Sequence, residues 1–149
     1  MLKLDLNGYK LIQKFEGLKL VAYQDSVGIW TIGYGNITYE NGVKVKKGDK
    51  ITQQRAEELF KYFADRFASN IDTKVTVPIT QNQFNAIVSL AYNIGVGAFS
   101  SSTLLKKINK CSSDPTIRNE FLRWVNASGK RLQGLVNRRT EEANLYFKM

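Results

Sequence analysis

A chain of 149 residues with 43% hydrophobic content is long enough to bury one core and too short for two independent enzymatic domains. Its formal charge of +9, from 22 Lys and Arg against 13 Asp and Glu, favours a polyanionic partner, whether nucleic acid, anionic lipid or bacterial cell wall. The single Cys111 excludes an internal disulfide and a multi-cysteine metal site, and the absence of His removes the commonest metal ligand and acid-base group, so hydrolysis would have to rest on carboxylates.

The N-terminus mixes Lys3, Asp5 and Lys10 among leucines and holds no apolar stretch of signal-peptide or membrane-spanning length, so a soluble chain without an export signal is expected. Tyr9, Leu11, Ile12 and Phe15 fall at helical spacings and predict a short amphipathic helix ending near Glu16 and Gly17. A carboxylate at that end meets the negative pole of the helix dipole, which is mildly unfavourable and calls for compensation or a purpose. Residues 18–46 change character, with glycines at 28, 33, 35 and 42 and aromatics at 23, 30, 34 and 39. Trp30, Ile32 and Tyr34 alternate with Thr31, Gly33 and Gly35, which predicts a small antiparallel sheet. Asn41-Gly42, between Thr38-Tyr39-Glu40 and Val43-Lys44-Val45, is a hairpin signal because both turn residues tolerate positive φ.

After Thr52, a helix N-cap by residue type, Ala56, Leu59, Phe60, Phe63 and Phe67 share one helical face long enough to bridge two lobes. Pro78 breaks the chain, and Thr80 with Gln83 forms a capping box ahead of Phe84, Ile87, Val88 and Ala91, the pattern of a core helix. Gly95 and Gly97 read as a helix C-cap and a tight turn. Shorter helices are expected at 101–109, 115–126 and 133–147, separated by the polar stretches 111–114 and 127–130. Residues 101–149 carry ten basic and four acidic side chains, so most of the positive surplus lies in the last third. Cys111 sits in the polar run 109–113 with no histidine to activate it and reads as a bystander thiol.

Cleavage of a glycosidic bond needs one group to protonate the departing oxygen and a second carboxylate to activate water or stabilise the developing cation. Glu16 at the end of a helix and Asp25 at the edge of a glycine-rich sheet are candidates, with Thr31 six residues further on. Spacing alone leaves the ordinary reading open: a surface helix-end carboxylate, a turn aspartate beside Ser26 and a strand threonine.

The segments Phe15-Glu16-Gly17, Ala22-Tyr23-Gln24-Asp25-Ser26 and Gly28-Ile29-Trp30-Thr31-Ile32-Gly33-Tyr34-Gly35 closely resemble the phage-type lysozymes, glycoside hydrolase family 24. The likeness continues through Gln83, Ala91-Tyr92-Asn93-Ile94-Gly95-Val96-Gly97-Ala98-Phe99, Ser102-Thr103-Leu104-Leu105, Arg123-Trp124-Val125 and Gly134-Leu135-Val136-Asn137-Arg138-Arg139, in the family's order over nearly the whole chain. The resemblance implies an α+β lysozyme-like fold, one domain over residues 1–149. A sheet-bearing lobe at about 17–51 and a connecting helix at about 52–70 would precede a helical lobe at about 71–149, which includes the N-terminal helix 1–16, with the cleft between the lobes.

The resemblance further implies that Glu16, Asp25 and Thr31 form the catalytic triad, that Tyr92 and Asn93 contact sugar, and that Arg138 supports Glu16. It implies hydrolysis, with inversion, of the β-1,4 bond between N-acetylmuramic acid and N-acetylglucosamine in peptidoglycan, without metal or cofactor. A monomer is expected that waits in the host cytoplasm until lysis, then acts on the wall, with no stable membrane insertion. The ordinary readings of Tyr92 as a packing ring and Arg138 as a helix-surface charge stay open. Of the alternatives, a lytic transglycosylase needs no water-positioning carboxylate, and a chitinase would use the same acid chemistry, though the basic charge suits an anionic wall better. A nucleic-acid-binding module would use Trp30 and Tyr34 as stacking platforms, but the chain matches no nucleic-acid motif, so no nucleic acid is expected.

Overall fold

The structure, a computed structural model, describes residues 1–149. In chain order it runs α1 (Leu6–Glu16), β1 (Lys19–Gln24), β2 (Trp30–Gly33), α2 (Gln53–Lys74), α3 (Gln81–Ile94), α4 (Val96–Ser100), α5 (Thr103–Lys110), α6 (Ile117–Phe121), β3 (Asn126–Ala127), β4 (Lys130–Arg131) and α7 (Gln133–Tyr146). The chain divides into two compact units, one of Tyr9–Arg66 and one of Met1–Gly8 with Phe67–Met149.

In the unit Tyr9–Arg66, β1 and β2 pair antiparallel with Tyr23 opposite Thr31 and Gln24 opposite Trp30, and the register shifts between Lys19 and Tyr23. A core of Ile32, Val45 and Leu59 is covered by Ala22, Trp30, Tyr39, Ile51 and Phe63. The alternation expected along β2 is not an in-out alternation of burial, because Thr31 and Gly33 are buried together with Ile32 and Tyr34. Both faces of this short strand are covered, as in a strand interior to a fold. The Asn41-Gly42 turn forms, with Gly42 at φ +83° and Tyr39 N–H donating to Val43 O at 2.9 Å. Beyond it the strands amount to the single bridge Thr38↔Lys44. Glu40 instead takes two bonds from the Arg55 guanidinium, at 2.6 and 2.7 Å, on α2. Thr52 caps α2 as its residue type suggests, its Oγ1 accepting Arg55 N–H at 3.1 Å.

In the second unit, the capping box holds α3: Gln83 N–H donates to Thr80 Oγ1 and Thr80 N–H to Gln83 Oε1. Every residue from Phe84 to Ala91 is buried, so α3 is the central helix of this unit and packs against α7. Gly95 ends α3 at φ +95° as expected of a cap, but Gly97 forms no tight turn; it lies inside α4. The helix expected at 115–126 is only Ile117–Phe121, because the chain turns into the hairpin β3–β4, with Asn126 opposite Arg131 and Ala127 opposite Lys130. Ser128 at φ 53° and Gly129 at φ 77° supply the two positive-φ positions that such a tight hairpin demands.

Helix α7 buries charge. Glu142 accepts Arg138 Nε at 3.1 Å, Arg139 Nη1 at 2.6 Å and the Ser89 hydroxyl at 2.5 Å, with all three ionised side chains at most 4% exposed. The guanidinium groups are further satisfied by backbone carbonyls, Arg138 by Ser89 at 3.0 Å and Arg139 by Trp124 at 2.8 Å. Removing the shared carboxylate would strand two buried cations, so Glu142→Ala is expected to cost about 3–5 kcal/mol of stability in urea unfolding. A loss under ~1 kcal/mol would show the network to be dispensable.

Candidate active site

Glu16 is the last residue of α1 and is half-buried. The helix stops there because Gly17 adopts φ +71° and donates its N–H to Gln13 O at 2.9 Å, the left-handed ending that glycine accepts without strain. Facing Glu16 is the turn Gly33-Tyr34-Gly35, closed by reciprocal backbone bonds between Ile32 and Asn36 at 2.8 and 2.9 Å. Gly35 is required at its position twice over: its φ is +81°, and a Cβ built on it would overlap Glu16 Oε1. The Glu16 carboxylate thus lies against bare backbone.

The turn is kept beside α1 by Glu57 of α2, which accepts the Tyr34 hydroxyl at 2.6 Å through one oxygen and Gln13 Nε2 at 2.7 Å through the other. Burial, then the hydrogen bond and charge of Glu57, push the Tyr34 phenol up to about 12 from its ordinary 10.0. Tyr34 also packs edge-on to Phe60, ring centroids 5.2 Å apart.

Asp25 lies just past β1 in a turn folded around its own side chain. Its Oδ1 accepts Val27 N–H at 3.0 Å and Ile29 N–H at 2.8 Å, while its backbone bonds Ile29 and Gly28. Two backbone donors on one oxygen fix the carboxylate's orientation and leave Oδ2 open. Thr31, 4% exposed, donates its hydroxyl proton to Ile29 O at 3.0 Å, so the remaining capacity of that oxygen is to accept. Tyr23, opposite Thr31 across the sheet, has its phenol pushed up by burial and then by the negative charges of Glu16 and Asp25, so one hydroxyl lies within electrostatic reach of both carboxylates.

Glu16, Asp25 and Thr31 therefore share one compact unit, whereas Tyr92, Asn93 and Arg138 belong to the other. There, half-buried Tyr92 packs on Phe67 at 5.2 Å. Exposed Asn93 lines a pocket of about 390 Å³ with Ile94, Trp124, Leu132 and Arg139, and accepts a hydrogen bond from Arg139 Nη2. Arg138 is no helix-surface charge but a member of the buried network around Glu142. No three His, Cys, Asp or Glu side chains converge as a metal site, and no helix is long and apolar enough to cross a membrane.

The local sequence does not single out Glu57 or Glu142, and it marks Gly35 and Trp124 only as parts of family-like segments. Gly33-x-Gly35 was a visible signal for a close backbone approach, but nothing local marks which of the acidic residues on α2 reaches back to Tyr34.

A two-stranded sheet set among helices in this order is the architecture of lysozyme-type hydrolases. The family model described as phage lysozyme matches residues 13–142. The endolysin of Acyrthosiphon pisum secondary endosymbiont phage 1 is 43% identical over 143 residues, 93% of this chain and 94% of that one. The endolysin of Bacillus phage PZA is 41% identical over 141 residues, 93% of this chain but only 53% of its own length. Among solved structures, an endolysin from Escherichia coli O157:H7 phage FAHEc1 superposes with a TM-score of 0.89 at 39% identity, covering 98% of this chain and 94% of that one. The chain belongs to the phage lysozyme family, a group of peptidoglycan-degrading hydrolases.

Two outcomes follow from the Glu16 surroundings. Gly35→Ala is expected to fold, losing about 1–2 kcal/mol from the left-handed backbone, yet to clear cell walls about 10²-fold more slowly because Glu16 is displaced; a turbidity assay beside thermal unfolding separates the two effects. Tyr34 ionises at higher pH folded than unfolded, so its stabilising contribution is complete below pH 10 and is lost as pH rises through about 12. Wild-type stability should accordingly fall more steeply over that window than that of Tyr34→Phe, as followed by denaturant titration.

Proposed function

We propose that this chain is an endolysin that hydrolyses the β-1,4 bond between N-acetylmuramic acid and N-acetylglucosamine with inversion at the anomeric carbon, lysing the host cell from within. Glu16 is the general acid that protonates the departing glycosidic oxygen, and Asp25 is the base that activates a water on the opposite face of the sugar. The observation that carries this reading is the asymmetry at Asp25: Oδ1 is saturated by two backbone N–H groups and Oδ2 is open. A water that donates one hydrogen to Oδ2 and the other to Thr31 Oγ1, whose own proton is committed to Ile29 O, keeps a lone pair for the anomeric carbon. Proton transfer to Asp25 accompanies attack, and Glu16 surrenders its proton to the leaving oxygen, so charge balances across the step.

Arg138 is proposed as the supporting residue and Tyr92 and Asn93 as sugar contacts, on the strength of the family resemblance. The charge of +9 suits an anionic wall as substrate. The enzyme is proposed to act as a monomer, accumulating in the host cytoplasm before it reaches the wall.

Glu16→Gln and Asp25→Asn are each expected to slow clearing of purified peptidoglycan by about 10²-fold to 10⁴-fold while leaving the fold intact. Mass spectrometry of wild-type products should show reducing-end muropeptides, and NMR of the fresh product the inverted anomer. Anhydro ends would identify a lytic transglycosylase instead, and a retained anomer would require a covalent route.

A further inference from the structure

Tyr23 is a further polar residue of this unit. It is half-buried in β1, directly opposite Thr31, and the pairing puts both side chains on the same face of the two-stranded sheet. Asp25 follows two residues later, and its N–H still bonds Ile29 O across the same pair of chain segments, so the period-two alternation carries Asp25 to that face as well. Both the Glu16 and the Asp25 carboxylates act on the phenol. The other buried or half-buried tyrosines of this unit spend their hydroxyls on carboxylates: Tyr9 on Asp65 at 2.5 Å, Tyr34 on Glu57 at 2.6 Å and Tyr39 on Asp49 at 2.8 Å. The Tyr23 hydroxyl makes no hydrogen bond within the chain, although two carboxylates stand within electrostatic reach.

We infer that the Tyr23 hydroxyl is a substrate contact, donating a hydrogen bond to an oxygen of the sugar unit held between Glu16 and Asp25. This rests on the acid and base roles proposed above. The argument is one of chemistry and position. A phenol beside two carboxylates stays protonated, so it is a donor at working pH, and a sugar is rich in acceptor oxygens. A neutral donor here orients the ring without neutralising either carboxylate, which a lysine or arginine in its place would do. A ring on the Thr31 face also walls the site that a nucleophilic water occupies, limiting bulk solvent there.

The test uses the full chain with purified peptidoglycan as substrate. Tyr23→Phe keeps the ring and removes the donor, and is expected to lower kcat/KM about tenfold to hundredfold with thermal unfolding unchanged. Because a folding defect could imitate that loss, a second protein carries 3,5-difluorotyrosine at position 23, which retains shape and hydroxyl but ionises at lower pH. If the protonated phenol donates to substrate, the alkaline limb of its pH–rate profile moves to lower pH relative to wild type. An unmoved limb, or wild-type kcat/KM in Tyr23→Phe, overturns the inference while Glu16→Gln remains inactive and the hydrolase roles stand. Full activity in Glu16→Gln would overturn the acid assignment and the Tyr23 contact with it.

Discussion

The Glu57 carboxylate spans from α2 to two segments at once, accepting Gln13 Nε2 with one oxygen and the Tyr34 hydroxyl with the other. Those bonds lie 44 and 23 residues apart in the chain and tie the last turn of α1 to the Ile32–Asn36 turn. Gly35 is brought against Glu16 by that tie, and the absence of a Cβ allows the approach. A glutamate at a helix C-terminus is disfavoured by the dipole, so its position has to be imposed by surrounding structure. The shared acceptor and the missing side chain both contribute to that placement.

Asp25 is held by a different device. Backbone N–H groups of its own turn converge on one oxygen, an arrangement that fixes the carboxylate's plane. One carboxylate is thus placed by tertiary contacts at a helix end and the other by local backbone geometry.

The second unit invests two of its basic residues in the interior. Arg138 and Arg139 share Glu142, with Ser89, Asn93 and the Trp124 carbonyl completing their donors. This buried arrangement joins α7 to α3 and to the segment that carries Trp124, and it brings Arg139 to the wall of the pocket that Asn93 lines. This largely polar helix is therefore packed through its buried charges as well as through Ala143 and Tyr146.

Much of this was legible in the chain. The helical spacing of Tyr9 to Phe15, the Thr52 cap, the Thr80–Gln83 capping box and the Gly95 stop are local signals, decided by neighbours a turn or less away, and α1, α2 and α3 follow them. Glu16, Asp25 and Thr31 were candidates by residue type, and only the resemblance to the family implied a triad. What escaped was set by contacts distant in sequence. The β3–β4 hairpin has strands of two residues, too short to show a period, and its Ser128-Gly129 turn interrupts what read as a helix boundary. Arg138 meets Ser89 across 49 residues, and Gln13 meets Glu57 across 44, which no periodicity records. By itself the sequence determined the caps and stops of α1, α2 and α3 and which residue types were available for chemistry, because caps, glycines and apolar spacing act over a few residues. Only the tertiary structure decided which of Asp25's oxygens stays open, which glycine Glu16 rests against and which carboxylate α7 buries, because those outcomes depend on groups brought together by packing.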